Sequence, residues 1–457
     1  MIRPVKVILF IASLGLVVGV SFAGGQRLRR AVVNPIVGHE TRISSLPDVG
    51  LTGIFGLGSS PQQGDGGSPA DTFQDVYRYI KSEYVDHLDD DKKLSFGAVK
   101  TMLLSIDDPK TRFLDPAQLK KTRDQMDGKF TGIGATVAVV KQKKGAIDQR
   151  RLAVVAPAHG GPADKAGIRA GDFITHVDGK WVIAYDTRQD LDKIHAKDMD
   201  EVQLRKTLAN AVKRMQDGIS LPKALDMISA ADGKTIELTL ERQGATDPVK
   251  VKIVTASISV EPAEYKAVNE KVGYLRITQF SDKATAVIQS ALSSPTRSLI
   301  VDLRDNSGGP IPVNKPLPGS AAALLIRLCG GGDVGNVVRK GGPEPIRLEK
   351  SAAPKPKIAV LINHGTSNVA EVVASALKEK AGATLIGAHT FGDSIMQRLV
   401  TLRDGAAMTL SAGKYLTASG QEFTGKGIQP DVPVATGGPQ MSDDTAYKRA
   451  VTALNGA

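Results

Sequence analysis

One cysteine, Cys329, stands in a chain of 457 residues, so an intramolecular disulfide is excluded. Aromatic residues supply only 4% of the sequence, too few for a surface on which bases could stack. The 59 Lys and Arg outnumber the 48 acidic residues, yet they are scattered and form no basic block. A nucleic-acid partner is therefore not expected. The net charge of +11 is read as solvated faces with some attraction to anionic surfaces. The seven His and the carboxylates show no metal-ligand spacing, and no glycine loop leads into a Lys-Ser/Thr pair. Neither a metal nor a cofactor is expected.

Long apolar runs are scarce as well. One extends from Val7 to Ala23 behind Arg3 and Lys6, and Ser21-Phe22-Ala23 has the small-x-small form of a cleavage site. Residues 1–25 are read as a signal peptide or an uncleaved membrane anchor, with a tether through residues 7–23 in the second case; the run lies near the lower length limit for a spanning helix. Residues 26–70 read as a flexible linker ending in the Gly/Pro/Ser/Gln-rich stretch Gly58 to Pro69. From Asp71 the spacing of Phe73, Val76, Tyr77, Ile80 and Tyr84 predicts a helix. A second apolar stretch, Phe96 to Leu103, follows in a helical region spanning 71–126.

Three segments further on carry chemistry. The first is Val301-Asp302-Leu303-Arg304-Asp305-Asn306-Ser307-Gly308-Gly309. The second runs from Val360-Leu361-Ile362-Asn363 through Gly365-Thr366-Ser367-Asn368-Val369-Ala370-Glu371, and the third is Thr390-Phe391-Gly392-Asp393 with Gln397 four residues on. In this order and form they resemble the C-terminal processing (tail-specific) serine peptidases. The resemblance extends upstream to Asp107-Asp108-Pro109-Lys110-Thr111-Arg112-Phe113-Leu114, similar to the family's Asp-Asp-Pro-Tyr-Ser-x-Tyr-Leu, and downstream to Gly425-Lys426-Gly427-Ile428-Gln429-Pro430-Asp431-Val432. It implies a nucleophilic serine at 368, a lysine base at 393 and a glutamine helper at 397. Here those positions hold Asn368, Asp393 and Gln397, so only the helper survives. It also implies an oxyanion hole from the amide of Gly308 or Gly309 with that of Val369, donors that outlast side-chain change.

The identities matter because a hydroxyl attacks a carbonyl only when a neighbour takes its proton, and a lysine does so only when neutral. An Asn amide is no comparable nucleophile, and an ionised Asp393 has nothing to activate. Beyond Gly309, Pro310, Pro312, Pro316 and Pro318 rule out an ordinary helix start and mark a remodelled rim. A rebuilt Ser-His-Asp set from Ser367, His389 and Asp393 is the alternative, with Ser394 and His364 close in sequence. Against it, a shift of one residue turns a side chain at a helix start by roughly 100°.

Upstream, Phe130-Thr131-Gly132-Ile133-Gly134-Ala135, then Gly161-Pro162-Ala163-Asp164-Lys165-Ala166-Gly167-Ile168 and Gly171-Asp172-Phe173-Ile174, are similar to a PDZ domain. Such domains hold an extended peptide C-terminus on a sheet edge, and the resemblance assigns carboxylate capture to Thr131, Gly132, Ile133, Gly134 and Ala135. A gate or scaffold role stays open. The module spans 127–258, with an insertion at about 186–230 in which Leu204, Leu208, Ala211, Val212 and Met215, then Leu221, Ala224, Leu225 and Ile228, recur at helical spacing. That insertion is read as a self-packed helical excursion.

The expected fold class is α+β and multidomain, closing with a mixed α/β peptidase-like core over 259–457. The expected partners are polypeptide C-termini or unfolded proteins and an active peptidase paralogue. The family's habit places the chain in the cell envelope, on the periplasmic or extracellular face. Two functions stay open: a non-catalytic binding scaffold, and an endopeptidase working through a non-standard centre.

Overall fold

The computed structural model describes residues 68–86, 88, 91–144, 147–184, 200–230, 233–309, 315–352, 356–434 and 444–455. The leader, almost all of the linker, Pro310 to Asn314 of the rim and the first part of the insertion lie outside them. Two compact units divide after Ser105.

In the first unit, Ser68 and Asp71 cap each other's amides at 3.3 and 3.0 Å, and Pro69 follows at a position where no N–H is needed. Helix α1 (Pro69–Glu83) thus starts two residues before Asp71. Its apolar stripe stays exposed, with Phe73 at 44% and Val76 at 53%. Helix α2 (Asp91–Leu104) follows.

The second unit opens with strand β1 (Arg112–Leu114) and helix α3 (Pro116–Met126), capped by Asp115 through the Gln118 amide at 2.8 Å. The chain then enters and leaves the PDZ module side by side, as β2 (Lys129–Phe130) pairs with β9 (Ile258–Ser259). Between them lies a sheet in the order β3 (Ala135–Lys144), β4 (Ile147–Pro157), β5 (Phe173–Val177), β7 (Thr235–Glu241), β8 (Val249–Val254), with β6 (Lys180–Trp181) beside β5. Along β7, Ile236, Leu238 and Leu240 are fully buried and alternate with Glu237 and Thr239, the two-residue period of a sheet with one wet face. Strands β3 and β8 are its edges.

Among the described residues, three helices complete the module: α4 (Pro162–Lys165), α5 (Glu201–Asp217) and α6 (Leu221–Ile228). Both helices expected in the insertion form, each started by a side-chain cap, Asp200 on the Gln203 amide and Ser220 on the Lys223 amide. They differ in burial. Ala224 and Ile228 of α6 enter the module core, whereas Leu208 of α5 remains 39% exposed and Val202 76%.

The peptidase-like core is a sheet of β10 (Ala263–Ala267), β11 (Val272–Ile277), β12 (Ser298–Asp302), β15 (Lys357–Ile362), β16 (Thr384–Gly387) and β19 (Val432–Pro433), parallel except for the β10 edge. Every residue of β12 is buried, as a central strand covered on both faces requires. Helices α7 (Asp282–Leu292), α8 (Gly319–Cys329) and α9 (Val369–Ala381) pack one face, and α10 (Thr445–Asn455) packs the other. Pro318 ends the proline-rich rim, and the apolar helix α8 begins at the next residue. A second, antiparallel sheet joins β14 (Gly342–Leu348), β13 (Gly332–Arg339), β18 (Ala407–Leu416) and β1, with β17 (Ile395–Thr401) on β18. This sheet brings β1, and with it Lys110, to the edge of the site.

Candidate functional site

The site forms where β15 ends and α9 begins. Asn368 sits in that turn at φ 55° and ψ −120°, a conformation costly for a side-chain-bearing residue and typical of a strained strand-to-helix elbow. Its amide nitrogen does not point at open space: Nδ2 donates to the Ile395 carbonyl at 2.7 Å and to the Asp393 carbonyl at 3.3 Å. The elbow is held from below by Glu371. Its carboxylate accepts from the Asn368 amide at 2.9 Å, the Thr390 hydroxyl at 2.5 Å, the Gly392 amide at 2.7 Å and the Asp393 amide at 2.8 Å. Burial pushes the Glu371 carboxyl up to about 7 against the pull of those donors.

The turn after β12 supplies the neighbouring wall. Asn306, fully buried, donates to the Ile277 carbonyl at 2.9 Å, and its own carbonyl accepts from the Ser367 amide at 2.9 Å. Gly308 stands at φ 97°, and a β-carbon there would come within 3.2 Å of Asn368 Cβ and 3.3 Å of the Val369 nitrogen. Of the two glycines expected to help form an oxyanion hole, Gly308 is therefore the one beside Val369. Gly309 packs against the Phe280 backbone instead. The Gly308 N–H donates to Asn306 Oδ1 at 2.9 Å, so gripping a carbonyl would mean exchanging that bond.

Asp393 lies on the opposite wall. Its carboxylate accepts from the Ile395 amide at 3.1 Å and is ion-paired with Lys110. Gln397 Nε2 donates to the Lys110 carbonyl at 2.8 Å. The structure thus gathers Asn368, Val369, Gly308, Asp393 and Gln397 at one place and adds Lys110 and Glu371, for which no motif assigns a role. The only sign of Lys110 was a lysine standing where the related motif has tyrosine.

A serine-histidine-aspartate set is not assembled. Ser394 Oγ lies 2.6 Å from Thr424 Oγ1, and His389 Nδ1 faces the Thr390 carbonyl at 3.0 Å. The His389 ring stands edge-on to His364 with centroids 4.1 Å apart; burial and then His389 hold His364 below its ordinary range. Among the described residues no hydrogen bond joins Ser367, His389 and Asp393.

In the PDZ module, Gly132 and Gly134 take φ 87° and 68°, and a β-carbon on Gly132 would meet the Ile228 carbonyl at 2.2 Å. The Ile133 N–H already donates to that carbonyl at 3.0 Å, so among Thr131 to Ala135 it is engaged by the end of α6. Val137 and Val139 on the β3 edge and Leu221 and Leu225 on α6 are half-buried against the module core. They supply the apolar side chains of the edge strand and of the helix.

The profile of peptidase family S41 matches residues 271–434, and that of the PDZ domain matches residues 154–203. A carboxy-terminal-processing protease of Bartonella bacilliformis is 30% identical over 374 residues, covering 79% of this chain and 74% of that protein. The chain belongs to peptidase family S41. Its other S41 relatives include the carboxy-terminal processing protease CtpA of Bacillus subtilis, 29% identical over 415 residues, 89% of this chain and 78% of that one. Among solved structures, the photosystem II D1 C-terminal processing protease superposes with a TM-score of 0.56 at 25% identity, covering 79% of this chain and 86% of its own. The S41 core and the PDZ domain expected from the motifs are both present.

Proposed function

We propose that this S41 chain is an exported, hydrolytically silent member of its family that captures polypeptide C-termini, as a scaffold or as the partner of an active peptidase. One observation carries the reading: Asn368 spends its amide on two backbone carbonyls, and Asp393 faces a cation where a neutral amine would be needed. No group at position 368 can be activated as a nucleophile, and no neutral base stands at 393. Loss of such members from a catalytic unit costs on the order of 10⁶ in turnover. Binding is supported by the β3 edge, by Val137 and Val139 on it and Leu221 and Leu225 on α6, which pack against one module core, and by the glycine loop that leads into β3. Export to the periplasmic or extracellular face is supported by Arg3, Lys6 and the apolar run behind them.

The test uses full-length protein with an apolar-tailed peptide bearing a free C-terminal carboxylate, the same peptide amidated, and an unfolded protein substrate. The free acid binds at least about tenfold more tightly than the amide, since the loop recognises the terminal charge, and the substrate stays intact. The second reading, a non-standard serine endopeptidase, draws on the approach of the Ser367 and His389 segments to the elbow. Cleavage by purified protein that disappears in Ser367→Ala or His389→Ala establishes it.

A further inference from the structure

Two departures from the motifs of the related peptidases meet at one point in space. After Asp107-Asp108-Pro109 the related pattern has tyrosine and this chain has Lys110; after Thr390-Phe391-Gly392 it has lysine and this chain has Asp393. The segments are far apart in sequence, yet Lys110 Nζ and Asp393 Oδ1 form an ion pair whose side chains are only 20% and 17% exposed.

The backbones of both partners are fixed by other bonds. The Lys110 carbonyl accepts from Gln397 Nε2 at 2.8 Å and from Thr409 Oγ1 at 2.7 Å, and the neighbouring Thr111 hydroxyl accepts from the Ser411 amide at 3.1 Å. Asp393 is held by its amide on Glu371 at 2.8 Å and by its carboxylate on the Ile395 amide at 3.1 Å. Ordering the pair therefore costs little beyond the lysine side chain itself. Partial burial screens it less than a surface pair, and removing one partner leaves the other charge poorly solvated. Either substitution alone would leave a mostly buried, unpaired charge beside the elbow; together they cancel.

We infer that Lys110 is the counter-charge of Asp393: where the related pattern has a cation at 393 and an uncharged residue at 110, this chain has an anion at 393 and its partner cation at 110. Lys110 is a positioning residue. It fastens the 107–114 segment to the start of β17, keeps Gln397 turned onto its own carbonyl, and sets its ammonium against the side chain at 393, in space a longer lysine there would need. The inference rests on the reading that the centre is silent, but its first test does not depend on catalysis.

Thermal unfolding of full-length wild type is compared with Lys110→Ala, Asp393→Ala, the double alanine variant, and the exchanged Lys110→Asp, Asp393→Lys. Each single change lowers the melting temperature by on the order of 3 °C, the double alanine variant is no worse than the more damaging single, and the exchange recovers most of the loss. Additive single effects, or an exchanged variant worse than both singles, overturn the pairing. The second readout is cleavage of an unfolded substrate by Asn368→Ser, Asp393→Lys with and without Lys110→Ala. Removing Lys110 raises cleavage at least tenfold; equal cleavage in both backgrounds overturns its hold on the centre. If neither variant cleaves while the exchange recovers stability, the pair stands, and what fails is the reading of an intact frame around a silenced centre.

Discussion

Asn368 and Glu371 together determine what the elbow can do. A serine there would carry a hydroxyl to be deprotonated; Asn368 instead turns its side chain into a cross-link to residues 393 and 395. Glu371 beneath it collects four donors while fully buried. Replacing it with alanine strands those donors and costs about 3–5 kcal/mol, measurable by urea unfolding. Its titration gives a pH signature. The folded carboxyl is raised to about 7 from an ordinary value near 4.5. Folding therefore favours its protonated form; the contribution is complete below about pH 4.5 and is lost as pH rises through 7. The stability of wild type relative to Glu371→Gln falls over that window by on the order of 3 kcal/mol. A difference that is flat with pH would contradict this. Asn368, Asp393 and Gln397 were legible from motif position alone, because a motif fixes which residue stands at each turn. Lys110 and Glu371 were not legible as partners, because an ion pair between distant segments and a hub of backbone donors exist only once the chain has folded.

At the scale of elements, the helices and strands of the second unit follow their local signals closely. Capping residues Asp115, Asp200 and Ser220 start α3, α5 and α6 through side-chain bonds to backbone amides. Burial was the part that spacing could not give. The stripe of α1 has the period of a buried helix yet leaves Phe73 and Val76 exposed, and in α5 Leu208 stays exposed, while the shorter α6 docks through Ala224 and Ile228. Periodicity says which residues share a face and not what that face meets. The α6 contact bears on the proposed ligand capture, because its last carbonyl sits against Gly132 and holds the Ile133 amide. Gly132→Ala forces that contact apart at a positive φ, costing at least about 1 kcal/mol and weakening peptide binding in titration. On the far face of the core, Arg304 bonds to Asp302, and the Tyr274 hydroxyl donates to Asp302 at 2.7 Å. Arg304 also pairs with Asp444, whose carboxylate accepts from the Tyr447 amide at 3.1 Å at the start of α10. Arg304→Ala removes the main counter-charge of buried Asp302 and loosens α10, a loss of about 3–5 kcal/mol by urea unfolding.

Across the whole second unit, the PDZ module and the S41 core meet next to the elbow. Thr136 Oγ1 lies 3.4 Å from Ser307 Oγ, and Gly365 comes close enough to Ala170 that an added β-carbon would stand 3.2 Å from its methyl. On the function proposed above, a chain whose centre holds Asn368, Asp393 and Lys110 would keep the recognition half of its family's architecture without the hydrolytic half. The most direct measurement is prolonged incubation of purified full-length protein with an unfolded polypeptide bearing an apolar C-terminus, with substrate and products followed by mass spectrometry. The polypeptide is expected to be bound and recovered at its original mass. Fragments that appear with wild type and vanish with Ser367→Ala would contradict it.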